Sequence, residues 1–159
     1  MPELRTFRRL RIVTGGQTGV DRAAMHVAFA LGLPLGGWCP RGRRALDGPI
    51  DSAWPLQETP AATYAQRTRW NVLDSDATLL LAANRTLTGG TRLTRELADE
   101  LGRDSRVVDP ACDATEPIKL WIVEQGIRTL NIAGPRERRD GRVQPLAEAW
   151  LTELLAAFV

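Results

Sequence analysis

Five consecutive residues near the start of the chain, Gly15-Gly16-Gln17-Thr18-Gly19 (the Gly15 loop), have the composition of an anion-binding loop. They follow an aliphatic and β-branched run at residues 10–14, which predicts a buried strand. Glycines let backbone amides approach a ligand, and the helix predicted after them offers unpaired N–H groups and a positive dipole end. We therefore expect phosphate here, with Thr18 adding a hydroxyl and Gln17 an amide. A Gly16→Val side chain would then obstruct the phosphate, although a tight turn without a ligand explains the pattern equally well.

Two further polar segments follow predicted strands. Gly89-Gly90-Thr91 (the Gly89 turn) comes after the aliphatic run 77–82, and residues 134–137 come after the run 129–133. Ligands of open parallel sheets bind beyond the carboxyl ends of the strands. Because all three segments reach that edge, the sequence predicts one site to which all three contribute.

Several other polar residues are candidates for this site. They are Asp21, Cys39, Arg67, Thr68, Asn71, Asp76, Thr94 and Arg136. An arginine can anchor phosphate bidentately, but a surface ion pair of Arg67 with Asp74 or Asp76 is the alternative interpretation. A carboxylate in a first helical turn, such as Asp21, is more typical of dipole matching or capping than of a catalytic base. Cys39 could meet a soft ligand, but its pattern is more typical of a semi-buried thiol.

Length and composition exclude several classes of protein. The 159 residues, 43% apolar and 25% charged, predict one ligand-binding domain over residues 1–159. One histidine, and two cysteines outside any CxxC pair, argue against a resident metal site. A net charge of +2 does not indicate nucleic acid, and no apolar run is long enough to cross a bilayer. Charges at residues 3 and 5 argue against an export signal, so we expect a cytoplasmic protein.

The hydrophobic pattern predicts alternating strands and helices. Strands are expected at residues 10–14, 35–38, 77–82, 106–109 and 129–133, with 77–82 as the clearest central strand. Helices are expected after both glycine segments, at 64–72, around 118–122 and at 145–158, with a long loop from 39 to 63. This alternation predicts an α/β fold: a doubly wound, Rossmann-like parallel sheet of about five main strands with helices on both faces.

Several blocks of residues, in one order along the chain, resemble the molybdenum cofactor carrier protein family. The blocks are residues 15–24, residues 37–43, Tyr64, Arg67-Thr68, Asn71-Val72, Asp74-Ser75-Asp76, the Gly89 turn with Thr94, and residues 131–137. The resemblance implies a Rossmann-like fold related to the LOG-type phosphoribohydrolases. It also implies that the protein binds the molybdenum cofactor, a pterin with a terminal phosphate, as cargo for a molybdoenzyme acceptor. Homo-oligomers, dimers or tetramers, are implied as well, with the Gly15 loop, Arg67 and the Gly89 turn lining the pocket.

The same resemblance bears on catalysis. LOG-type enzymes have a glutamate three residues after the threonine of their glycine turn, whereas this chain has Thr94, a hydroxyl with no useful proton affinity near neutral pH. We therefore expect a carrier or storage protein that binds its cofactor without turnover. Two alternatives stay open: a nucleoside 5'-monophosphate hydrolase that uses Asp74, Asp76 or Glu96, and a nucleotide-ligand sensor.

Overall fold

Strands and helices alternate along the chain in the structure, a computed structural model that describes residues 9–159. The strands are β1 (Arg11–Val13), β2 (Leu35–Gly36), β3 (Trp38–Cys39), β4 (Gln57–Glu58), β5 (Ala77–Leu81), β6 (Asp104–Val108) and β7 (Thr129–Ala133). The helices are α1 (Val20–Ala30), α2 (Tyr64–Leu73), α3 (Gly89–Glu100), α4 (Glu116–Glu124) and α5 (Val143–Leu155). The first residues, on which the expectation of no export signal rests, lie outside the described range. No helix within that range is long and apolar enough to span a membrane.

One parallel sheet organises the part of the chain that the structure describes. Its five strands have the order β2-β1-β7-β5-β6, and β3 and β4 form a separate parallel pair. The main apolar cluster takes side chains from α1, α4 and α5, including Ala28, Trp121 and Leu151. Leu79 of β5 belongs to that cluster, whereas the next residue, Leu80, points to the opposite face, because strand side chains alternate. Helices α2 and α3 pack together on this second face, which confirms the doubly wound α/β fold.

The strand order places the predicted ligand segments next to one another. Strands β1, β7 and β5 are neighbours in the sheet, and the chain reverses its direction of strand addition between β1 and β5. The Gly15 loop follows β1, residues 134–137 follow β7, and the Gly89 turn lies beyond β5. The predicted convergence of these segments at one sheet edge is confirmed. Strand β5, expected to be the clearest central strand, lies inside the sheet between β7 and β6, and all five of its residues are buried.

The strand predicted at residues 35–38 is wrong as one element. Gly37 interrupts it with φ of +135°, and a Cβ at this position would collide with the backbone of Thr14. The chain therefore leaves the main sheet after Gly36, and Trp38 pairs with Gln57 in the short β3–β4 pair. This pair lies partly in the segment 39–63 that was expected to be a loop.

The last helix begins two residues earlier than predicted. The carboxylate of Glu137 accepts hydrogen bonds from the backbone N–H groups of Val143 and Gln144, at 3.0 Å each. These are first-turn amides that have no acceptor within the helix, so a carboxylate from the preceding loop extends the helix by capping them. The helix ends at Leu155, and a 3-10 turn continues it to Phe158.

Candidate functional site

A cleft of about 310 Å³ opens beyond the carboxyl ends of β1, β7 and β5. Its walls come from the three predicted segments and from one side of α2. The residues that line it are Gly15, Gln17, Asp21, Tyr64, Arg67, Thr68, Asn71, Thr88, Gly89, Gly90, Thr91, Leu93, Thr94, Asn131, Ala133, Gly134, Pro135 and Arg136. The volume is at the lower end of the range for small-molecule sites.

Arg67 forms the floor of the cleft beside the first glycine of the Gly15 loop. Only 8% of Arg67 is exposed, and its Nη1 donates a hydrogen bond of 2.6 Å to the carbonyl oxygen of Gly15. The same nitrogen lies 3.7 Å from Oδ2 of Asp21, and the guanidinium stacks over the ring of Tyr64 at 5.2 Å. The alternative of a surface ion pair with Asp74 or Asp76 is therefore wrong.

Asp21 supplies the negative charge opposite Arg67. It stands in the first turn of α1, as predicted, and its Oδ2 accepts a hydrogen bond of 3.2 Å from the backbone N–H of Gln17. Burial raises the pKa of Asp21 above its usual 3.8, and the charge of Arg67 opposes that shift. The carboxylate therefore occupies a position that an external anion would need at the end of α1.

The protein's own acceptors occupy two amides of the Gly15 loop and the first amide of α1, so these three amides do not support the predicted phosphate cradle. The N–H of Gln17 bonds to Asp21, and that of Thr18 bonds to Oε1 of Gln17 at 2.9 Å. The N–H of Val20, the first residue of α1, donates to the carbonyl oxygen of Pro135. The hydroxyl of Thr18 accepts a hydrogen bond of 3.2 Å from the backbone N–H of Glu137, and Thr18 does not line the cleft.

Two glycines of this loop are needed for protein packing. A Cβ on Gly16 would lie 2.6 Å from Cδ1 of Ile50 and 2.7 Å from Cδ1 of Leu56, outside the cleft lining. A Cβ on Gly19 would meet the backbone of residues 135–137. A larger side chain at Gly16 would therefore disturb the apolar packing, and the expectation that it obstructs a phosphate is corrected.

The Gly89 turn presents consecutive unpaired backbone amides, and Gly89, Gly90 and Thr91 all line the cleft. Among residues 9–159, no acceptor bonds to the backbone N–H groups of Gly89, Gly90 or Thr91, and the N-cap residue Thr88 provides no side-chain cap. No atom lies within 4 Å of a Cβ built on either glycine, so this helix end is open. Unpaired N–H groups at the positive end of a twelve-residue helix favour a negatively charged group, and this helix end faces the cleft.

Four other predicted residues have structural partners. Cys39 is fully buried in a small apolar cluster, and burial raises the pKa of its thiol. Asp76 accepts hydrogen bonds from the N–H groups that start β7, at the opposite end of the sheet from the cleft. Asn71 lines the cleft, but its amide pairs with both backbone groups of Trp38. Thr68 also lines it, with its hydroxyl donating to the carbonyl oxygen of Tyr64 at 2.8 Å.

The carboxylates proposed for a hydrolase do not line the cleft. Asp74 accepts a hydrogen bond of 2.7 Å from Nε1 of Trp38. Asp76 lies at the amino ends of the strands, opposite the cleft. Glu96 pairs with Arg92 on the exposed side of α3. Asp21 is the one carboxylate among the described residues that line the cleft, and no group of three or more His, Cys, Asp or Glu side chains in residues 9–159 could hold a metal ion.

Sequence reasoning missed several lining residues, and Asn131 had a visible signal. It is a polar residue inside the aliphatic strand 129–133, and it is 3% exposed at the bottom of the cleft. Its Nδ2 donates to Oγ1 of Thr78 at 3.2 Å. Tyr64 belonged to the motif blocks but was not assigned to the site.

Comparisons with known proteins agree with this architecture. Residues 12–155 match the family described as the circularly permutated YpsA SLOG family. The chain is also similar to the crystal structure of a protein named "Putative molybdenum carrier protein" from Syntrophus aciditrophicus SB. The two chains are 37% identical with a TM-score of 0.84, and the match covers 93% of this chain and 95% of that one. No curated protein matches the chain. These findings confirm the resemblance to molybdenum carrier proteins that the motif blocks indicate.

Proposed function

Because this chain belongs to the circularly permutated YpsA SLOG family, we propose that it binds a phosphate-bearing small molecule in the cleft and carries it without turnover. The cargo we propose is the molybdenum cofactor, a pterin with a terminal phosphate, held until a molybdoenzyme accepts it. We propose the cytoplasm as the place of this exchange. The name of the similar protein from Syntrophus aciditrophicus supports the cargo, since it is described as a molybdenum carrier.

The observation that carries this proposal is the open amino end of α3. Its N–H groups at Gly89, Gly90 and Thr91 face the cleft without acceptors among the described residues. Arg67 and Arg136 line the same cleft, and Asp21 is the one carboxylate among the described residues that line it. Backbone amides, a helix dipole and guanidinium groups together favour a phosphate.

The absence of turnover is supported by the side chains around that helix end. Thr94 holds the position where LOG-type enzymes have their glutamate, and its hydroxyl donates to the carbonyl oxygen of Gly90 at 2.8 Å. Asp21, the carboxylate of the cleft, already accepts a backbone hydrogen bond and lies beside Arg67. Proton transfer to a leaving group needs an acid within hydrogen-bond reach of that group. A nucleotide sensor is the second candidate, because the same phosphate site suits any nucleoside monophosphate.

We also propose that the protein forms homo-oligomers, dimers or tetramers. An exposed apolar patch supports this: Phe29 on α1 is 73% exposed and packs edge-on against Trp54, with ring centroids 5.7 Å apart. Exposed apolar patches often mark protein interfaces. Light scattering on the unmodified protein and on a Phe29→Ser variant tests this, and we expect the variant to dissociate more readily.

Native mass spectrometry tests the carrier function. The protein is purified from cells that make the molybdenum cofactor, and a second sample is incubated with adenosine 5'-monophosphate (AMP). We expect an adduct with the mass of the cofactor, and a strong reduction of it in Arg67→Gln. The matched control is Arg95→Gln, because Arg95 lies on the outer side of α3 in an ion pair with Asp99.

Two results would contradict the proposal. Release of ribose 5-phosphate from AMP would show a hydrolase. Retention of intact AMP, with no cofactor adduct from producing cells, would show a nucleotide sensor.

A further inference from the structure

The two ends of the cleft offer opposite hydrogen-bonding groups. The α3 end presents only donors, the N–H groups of the Gly89 turn. The α1 end presents the carboxylate of Asp21, which accepts N–H or O–H groups and offsets the positive charge of Arg67, 3.7 Å away. A ligand whose phosphate lies on α3 therefore turns a neutral, donor-bearing part toward Asp21.

Gln17 adds a donor beside this carboxylate. Its Oε1 accepts hydrogen bonds of 2.9 Å from the backbone N–H groups of Thr18 and Leu46, and this fixes the orientation of the amide. The Nε2 group then has no acceptor among residues 9–159, although Gln17 lines the cleft and is only 7% exposed. Because this N–H group is accessible and has no acceptor among the described residues, it can donate to a ligand.

Gln17 of the Gly15 loop and Asp21 of the first turn of α1 both line the cleft. The backbone N–H of Gln17 donates to Oδ2 of Asp21 at 3.2 Å, so the two residues belong to the same wall. The Gln17 N–H and the Thr14 hydroxyl use two of about four acceptor positions of this carboxylate, and Arg67 lies 3.7 Å from Oδ2, which leaves about two positions for ligand N–H groups. The wall therefore combines two acceptor positions with one donor.

We propose that Asp21 and Gln17 are specificity-determining residues that bind a 2-amino-4-oxopyrimidine edge, which pterins and guanine share. The carboxylate of Asp21 accepts the ring N–H and the amino N–H, while Nε2 of Gln17 donates to the carbonyl oxygen. Adenine has no carbonyl oxygen at this edge and no ring N–H, so it leaves both protein groups poorly matched. This inference rests on the proposed phosphate site at α3.

Calorimetric titration with a set of monophosphates tests the inference. The probes are guanosine (GMP), adenosine (AMP), inosine (IMP), 2'-deoxyguanosine and neopterin monophosphates, with inorganic phosphate as competitor. We expect GMP and neopterin monophosphate to bind at least about tenfold more tightly than AMP, which is the scale of discrimination by a bidentate contact. IMP lacks the amino group and should lie between GMP and AMP. Whichever of GMP and neopterin monophosphate binds more tightly identifies the ring that the site prefers, guanine or pterin.

Two variants and a control separate recognition from folding. Asp21→Asn should remove the preference for GMP over AMP while inorganic phosphate still competes, because the N–H groups of the Gly89 turn are unchanged. Gln17→Glu keeps acceptors for Thr18 and Leu46 but loses the donor, so the preference should also fall. Glu96→Gln makes the same carboxylate-to-amide change on the exposed side of α3 and should leave the preference intact.

The outcomes distinguish this inference from the proposed function. Equal binding of GMP and AMP, unchanged in Asp21→Asn, would overturn the inference and leave the phosphate site standing. A preference that disappears with 2'-deoxyguanosine monophosphate would also overturn it, since Asp21 would then contact the ribose. If no probe binds and phosphate does not compete, both the inference and the proposed function fail.

Discussion

Replacing Gly90 with proline removes one of the N–H groups that we assign to phosphate binding. Gly90 is the second residue of α3 and does not have a positive φ, so proline fits its backbone and no helix hydrogen bond is lost. No atom lies within 4 Å of a Cβ built there, so the side chain has room. A hydrogen bond to a charged group contributes about 1.5–3 kcal/mol. We therefore expect phosphate ligands to bind about 10- to 100-fold more weakly.

Gly90→Ala is the matched control, because it adds the same Cβ and keeps the N–H group. Calorimetry with inorganic phosphate and AMP compares the two variants with the unmodified protein, and urea denaturation checks that each is folded. Alanine should raise the free energy of unfolding by up to about 1 kcal/mol, since glycine is a poor helix former. Equal affinities of the proline and alanine variants would refute the assignment of the phosphate to α3.

Three further predictions concern stability, and urea denaturation measures each of them. Gly16→Ala should lower the free energy of unfolding by about 1–3 kcal/mol, because the added Cβ would lie 2.6 Å from Ile50 and residue 16 has a φ of +79°. Unchanged stability would contradict this packing role. Asn71→Ala should lower the free energy of unfolding by about 2–4 kcal/mol, because it leaves the N–H and the carbonyl group of Trp38 unpaired. A decrease below about 0.5 kcal/mol would show that water replaces the amide. Burial raises the pKa of Asp21, so the native state binds this proton more tightly than the unfolded state does. The free energy of unfolding of the unmodified protein should therefore fall relative to that of Asp21→Asn as the pH rises from 3.8 through the raised pKa. The opposite trend would show that pairing with Arg67 outweighs burial.

The elements that the sequence predicted well depend on short-range patterns. Strand β7 has the predicted bounds because a short apolar run between polar turns can be recognised from the adjacent residues of the sequence alone. The strand predicted at 35–38 divides at Gly37, because the backbone of Thr14 lies where a Cβ would be. Nothing between residues 35 and 38 reveals this distant contact.

The same distinction applies to the candidate site. The sequence predicted both glycine segments and their common sheet edge, because each follows a recognisable strand. It could not show which amides are already paired: Asp21 and the side chain of Gln17 accept from Gln17 and Thr18, and Pro135 accepts from Val20. Arg67 was predicted as a phosphate ligand or a surface ion pair, and its burial beside Gly15 depends on how α2 packs on the sheet.

The sequence by itself therefore determined the order of strands and helices, the doubly wound fold, the family and the edge where polar segments meet. These properties follow from hydrophobic periodicity and glycine positions, which act within a few residues. Only the tertiary structure decided that the amides of Gly89, Gly90 and Thr91 lack acceptors among the described residues, whereas those of Gln17, Thr18 and Val20 are paired. The physical reason is that a backbone amide is available to a ligand only when no acceptor in the folded chain reaches it. Such an acceptor can be as near as Gln17 is to Thr18 or more than a hundred positions away, as Pro135 is from Val20.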